Sequence, residues 1–167
     1  GIAGTFTVYK LAGAAAENGA DLDEVERLMR AANAATYSFG VAFDGCTLPG
    51  AKDPLFTVDR GKMDFGLGIH GEPGITSVDW MASPELAAEL VGKVLGGRPD
   101  GVSGRAAVVL NGLGATKYEE LFALYGSVAQ LLGDAGVEPV APEVGELVTS
   151  LDMAGCSLSV TWLDDEL

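Results

Sequence analysis

The sequence is poor in the residues from which most independent functional sites are built. Its 167 residues include 2 cysteines and 1 histidine, and 10 lysines and arginines stand against 24 aspartates and glutamates, a formal net charge of −14. Cys46 and Cys156 are far apart and form no C-x-x-C pair, so no disulfide framework is expected and a reducing, cytoplasmic setting fits. One histidine without clustered thiols argues against a zinc-type centre, and no metal site is expected in this domain. The negative field repels phosphate backbones and anionic headgroups, which argues against nucleic acid and membrane as partners. Apolar stretches are broken by glycine or charge well short of the roughly 20 residues of a membrane span, and no signal peptide is visible. A P-loop and a kinase signature set are also missing, so no nucleotide cofactor is expected on this domain. The chain starts at Gly1 without a methionine and enters a helical pattern almost at once, which reads as a piece of a longer protein.

What is present is enough for one domain, able to bury about 70% of the surface its unfolded form exposes. Helical spacing runs from Thr5 to Asn18 with a Gly19 stop, and again from Asp21 to about Ala34, with Asp21 and Glu24 as a capping pair. Tyr37–Phe43 reads as a strand, and Leu55–Val58 and Lys62–Leu67 read as a hairpin turned by Asp59-Arg60-Gly61. Ser83-Pro84 opens a helix that Gly96-Gly97 stops. Ala106–Leu110 is a buried-type strand, and Thr116-x-x-Glu119 is expected to cap a helix running to about Leu132. Strands are expected at Val144–Thr149 and Leu158–Leu163, the latter alternating like a half-buried strand. This order is not a regular βαβ alternation, so the expected class is α+β, a two-layer arrangement of helices on a mixed sheet.

Gly66-Leu67-Gly68-Ile69-His70-Gly71 formally matches G-x-G-x-x-G, but Glu72-Pro73-Gly74 continues the loop where a dinucleotide fingerprint must open a helix. The same loop sets the one histidine between glycines, where backbone can approach a small molecule closely. A neutral imidazole there is a competent nucleophile, yet a loop histidine can equally cap or pack, and the residues alone leave both open. Gly112 and Gly114 sit between a strand and a helix, where backbone N–H groups could bind an anion or where a tight turn simply needs glycine. Asp152 is a lone carboxylate that could form an Asx-type turn, Cys46 reads as a buried structural thiol, and Asp164-Asp165-Glu166 as solvated surface.

Taken in order, Lys10-Leu11-Ala12-Gly13-Ala14-Ala15-Ala16-Glu17, Gly45-Cys46-Thr47-Leu48-Pro49, Phe65–Gly74, Leu113-Gly114-Ala115-Thr116 and Thr149–Gly155 resemble the dihydroxyacetone kinase family. The likeness is to the second domain of the substrate-binding subunit and spans almost the whole chain. The resemblance implies that His70 attacks the ketone carbon and holds dihydroxyacetone as a hemiaminal, with Gly68, Gly71 and Glu72 as candidate residues of the substrate loop. It further implies a preceding domain with acid/base residues, ATP and magnesium or a phosphorylated ADP relay on another domain or subunit, and a homodimer. On that basis the chain alone is expected to be inactive as a kinase. The rival reading is a dihydroxyacetone-sensing transcriptional co-activator, since relatives can keep the histidine without the activity.

Overall fold

In the computed structural model of the chain, residues 3–69, 72 and 74–167 are described. Their helices are α1 (Gly4–Glu17), α2 (Leu22–Ala34), α3 (Ser83–Leu95) and α4 (Tyr118–Asp134). The strands are β1 (Thr36–Ala42), β2 (Lys62–Phe65), β3 (Thr76–Asp79), β4 (Arg105–Gly112), β5 (Glu138–Gly145) and β6 (Gly155–Trp162). They form one sheet in the order β3-β2-β1-β6-β4-β5, with β4 and β5 parallel and the other neighbours antiparallel. The class is α+β with helices on a mixed sheet, as the sequence implies. No helix among the described residues is long and apolar enough to cross a membrane.

The main core lies where α3 and α4 cover Cys156, Leu158, Val160 and Trp162 of β6 together with Val108 and Leu110 of β4. The opposite face is also covered. Ser157, Ser159 and Thr161, which alternate with the core residues and look solvent-facing in sequence, are at most 1% exposed. They lie on the side of α1, and two of their hydroxyls pair across the sheet, Thr161 with Thr36 at 2.8 Å and Ser159 with Ser38 at 2.7 Å. A satisfied hydroxyl pair can be buried at little net cost, so polar alternation did not mean water here, and the sheet has a helical layer on each side, one layer more than the expected two.

Helix starts largely follow the expected signals. The Asp21 carboxylate accepts from the Glu24 amide at 3.0 Å, while the Glu24 carboxylate turns to Arg27 at 2.7 Å rather than back to the cap. The cap expected at Thr116 moves on by one residue: the Lys117 amide donates to Glu120 at 3.0 Å. Thr116 is occupied elsewhere, its hydroxyl donating to the Gly155 carbonyl at 2.8 Å and accepting from the Gly155 amide at 2.9 Å.

Two strand expectations are corrected. Leu55–Val58 is not a strand; its Leu55 amide donates to the Cys46 carbonyl at 2.8 Å, and Phe56 and Val58 pack over a second, smaller core. The partner of β2 is instead β3, with Lys62 opposite Asp79 and Phe65 opposite Thr76. β3 is an edge strand whose Thr-Ser-Val-Asp residues are mostly exposed, so no apolar alternation announces it. The expected Val144–Thr149 strand lies earlier, in β5, because the edge position tolerates Pro139 and Pro142, which have no N–H to give to a ladder. The consequence for function is that Gly66–Ile75 is the connection of a β2–β3 hairpin.

Candidate functional site

The hairpin connection is tied at both ends. The Gly66 amide donates to Gly40 at 2.8 Å and the Ile75 amide to Phe65 at 2.7 Å. Gly66 has φ +77°, a conformation that costs a side chain and not a glycine. Leu67 then inserts into the second core with Ala42, Cys46, Leu113 and Met153, against which Ile69 packs from one side. Burial of these side chains fixes the path of the loop up to Ile69.

The segment Thr149–Met153 holds the loop from the other side. Ser150 is 6% exposed, its amide donating to the Leu113 carbonyl at 2.7 Å and its hydroxyl to the Ile69 carbonyl at 2.6 Å. Asp152, a lone turn carboxylate by sequence, reaches 105 residues back to accept from the Thr47 amide at 2.6 Å. Gly114 and Met153 form an isolated parallel bridge, with the Ala115 amide donating to Met153 at 3.1 Å and the Leu113 amide to Gly155 at 3.1 Å. The Leu113 and Ala115 amides are thus engaged within the protein, which favours a packed strand-to-helix turn over an anion site at Gly112-Leu113-Gly114.

Behind this turn stands Asn111, fully buried. Its Oδ1 accepts from the amides of Leu147 at 2.9 Å and Val148 at 2.8 Å, and its Nδ2 donates to the Val148 carbonyl at 2.7 Å. Neither Ser150 nor Asn111 stood out as a functional candidate in the sequence, since a serine in a polar turn and an asparagine after a strand carry no periodicity.

Of the four loop candidates, the structure places two. Glu72 lies over Gly68, its carboxylate occupying the space a Cβ at Gly68 would take. His70 and Gly71 lie outside the described residues. Beside Ile69, the residue that precedes His70, a cavity of about 390 Å³ is lined by Cys46, Leu48, Leu55, Ile69, Thr149, Ser150 and Leu151. Another cleft, of about 330 Å³, lies between the sheet and α3 and α4, lined by Phe43, Met63, Trp80 and Leu86 among others. It includes none of the loop residues, so chemistry favours the first. Among the described residues no group of three or more His, Cys, Asp or Glu side chains is placed to hold a metal.

Both thiols are free and buried, and burial pushes the Cys156 thiol up to about 12. Cys156 in the native protein is therefore expected to be inert to a disulfide reagent at pH 8 and to react only in denaturant. Unfolded Cys156 ionises near its ordinary value of 9.0, while the folded thiol keeps its proton to about 12. The unfolded state thus binds fewer protons in that window, and stability falls there by up to about 1.4 kcal/mol per pH unit. Equilibrium unfolding at pH 9 and pH 11 measures this, and a Cys156→Ala variant should lose that part of the slope.

A hairpin connection pinned by three remote segments on an α+β scaffold defines a single-loop site. The chain belongs to the Dak1 domain family, whose profile matches residues 1–167. It is 65% identical over 167 residues to a D-erythrulose kinase of Mycolicibacterium smegmatis, matching 100% of this chain and 29% of that protein. It is 39% identical to the dihydroxyacetone-binding subunit DhaK of a PTS-dependent dihydroxyacetone kinase of Listeria innocua, over 99% of this chain and 50% of the subunit. Among solved structures, the dihydroxyacetone kinase of C. freundii superposes with a TM-score of 0.85 at 36% identity, over 99% of this chain and 30% of that one. The dihydroxyacetone kinase operon co-activator Dha-DhaQ superposes with 0.89 at 32%, over 99% and 51%. The chain thus spans between about a third and a half of the relatives it matches.

Proposed function

We propose that the chain is the ketose-holding domain of a short-ketose kinase, the second domain of its substrate-binding part, and that His70 bonds covalently to the ketone carbon. The observation that carries this reading is the convergence of four of the five resembling segments, Lys10–Glu17 lying apart in α1. Cys46-Thr47, Gly68-Ile69, Leu113–Thr116 and Thr149–Met153 are scattered over more than 100 residues of sequence and meet around one small core beside the residue that precedes His70. A packing role for those motifs would not require them to meet at the histidine loop.

The chemistry is addition of an imidazole nitrogen to the carbonyl carbon, with the carbonyl oxygen taking a proton to give a hemiaminal. Such capture favours a ketose over a polyol with no carbonyl, and it fixes a terminal hydroxyl for phosphoryl transfer, which depends on positioning. The candidate cavity offers a polyhydroxyl substrate mostly Leu48, Leu55, Ile69 and Leu151. In this reading the acid/base groups and the nucleotide with its magnesium, or a phosphorylated ADP relay, belong to other domains or subunits, and the isolated chain does not turn over. The erythrulose kinases among its relatives make a four-carbon ketose as reasonable a substrate as dihydroxyacetone. A homodimer is part of the same reading.

The test is mass spectrometry of the full-length protein with dihydroxyacetone or erythrulose, reduced or under native conditions. One adduct per chain is expected, absent in His70→Ala; an unmodified wild-type protein would sink the assignment. The co-activator relative with a TM-score of 0.89 supports a second reading, a ketose sensor. A sensor forms the adduct yet shows no phosphorylated product in a coupled assay of the full-length protein with its nucleotide-binding partner.

A further inference from the structure

Among the described residues, a side-chain hydrogen bond from outside the hairpin reaches the loop at Ile69, the residue that precedes His70, and its donor is a serine to which the chemistry above gives no step. Ser150 Oγ lies 2.6 Å from the carbonyl oxygen of Ile69, and the serine is 6% exposed. That carbonyl belongs to the peptide group that joins Ile69 to His70, and a peptide group is planar. Holding its oxygen therefore restricts the orientation of the bond from which His70 continues. Ser150 is itself restrained through its amide on the Leu113 carbonyl at 2.7 Å, and its neighbour Asp152 is restrained on the Thr47 amide at 2.6 Å. The serine thus ties a held turn to Ile69, which follows Gly68 in the sequence.

We infer that Ser150 is a positioning residue for ketose capture, acting through the Ile69–His70 peptide. This rests on the reading of His70 as the covalent anchor. Misplacing a nucleophile by about 1 Å can cost up to about 100-fold in rate, so loss of the hydroxyl should slow capture between about 10- and 100-fold. Alanine keeps the Ser150 amide bond to Leu113, so the turn survives the substitution.

The experiment follows adduct formation with dihydroxyacetone by quenched mass spectrometry in the full-length protein, alongside the thermal midpoint. Ser150→Ala should slow capture while Ser150→Thr, which keeps a hydroxyl, regains much of the rate. Ser159→Ala, which removes a buried hydroxyl paired with Ser38, should lower the midpoint as much without slowing capture. Capture by Ser150→Ala at the wild-type rate, with the adduct still lost in His70→Ala, overturns the role of Ser150 alone. Equal slowing in Ser150→Ala and Ser159→Ala overturns it in favour of general loosening. Absence of any adduct on the wild-type protein overturns the anchor reading and this inference with it.

Discussion

Replacement of Gly114 by alanine is expected to destabilise the fold by about 4 kcal/mol, a large effect for one methyl group on the surface of a turn. Gly114 sits at φ +143°, a region that is nearly closed to residues with a Cβ. A Cβ built there also meets the backbone carbonyl of Leu151, and backbone cannot swing aside as a flexible side chain can. Leu151 has little freedom to yield, because it is itself at φ +53° between the anchored Ser150 and Asp152. The control is Gly136→Ala: φ is +71° there, but no atom lies within 4 Å of the added Cβ. That substitution should cost only about 1 kcal/mol, the left-handed penalty by itself. Urea unfolding of both variants decides the point. Equal losses would mean that the Leu151 contact relaxes freely and that the turn is not the rigid support described here.

How much of this was legible in sequence depends on what each segment packs against. The helices were readable because their apolar faces repeat and their ends carry signals, Asp21 capping the start of α2 and Gly96 closing α3. β1, β4 and β6 were readable because central strands must carry β-branched and apolar residues. The edges were not. β3 is exposed and so carries no apolar signal, while Leu55–Val58 carries a strand-like composition and spends it on covering the second core. β5 holds two prolines that exclude a central strand and are harmless at an edge. The site was legible as a list of motifs but not as an arrangement. His-Gly-Glu-Pro-Gly points to itself through its glycines, whereas the bond from Ser150 to Ile69 spans 81 residues and leaves no local pattern. Long-range pinning of this kind is set by tertiary packing, which a single sequence does not display.

Asn111→Asp, nearly isosteric, should be more damaging than its size implies, by about 3 to 5 kcal/mol at neutral pH. Asn111 Nδ2 donates to the Val148 carbonyl while Oδ1 accepts from the amides of Leu147 and Val148, so one side chain satisfies three backbone groups. A carboxylate keeps the acceptor half and turns the donor half into an oxygen facing an oxygen, at a position with no exposure to water. Burial and that repulsion both favour the neutral acid, so the folded-state pKa of the new group rises above its unfolded value. The penalty is then smallest in acid, where a protonated carboxyl can again donate to Val148, and grows as pH rises through the unfolded value of about 3.9. Asn111→Ala lacks this pH dependence and should cost about 2 to 3 kcal/mol through unsatisfied partners alone. Unfolding of the three proteins at pH 4 and pH 7 separates the two mechanisms, and an Asn111→Asp protein as stable as the wild type at pH 7 would refute the buried-charge argument. The functional consequence follows along the chain. Leu147 and Val148 lead directly into Thr149-Ser150, so freeing them loosens the turn that holds Ile69, and ketose capture should slow in Asn111→Ala even where the protein remains folded.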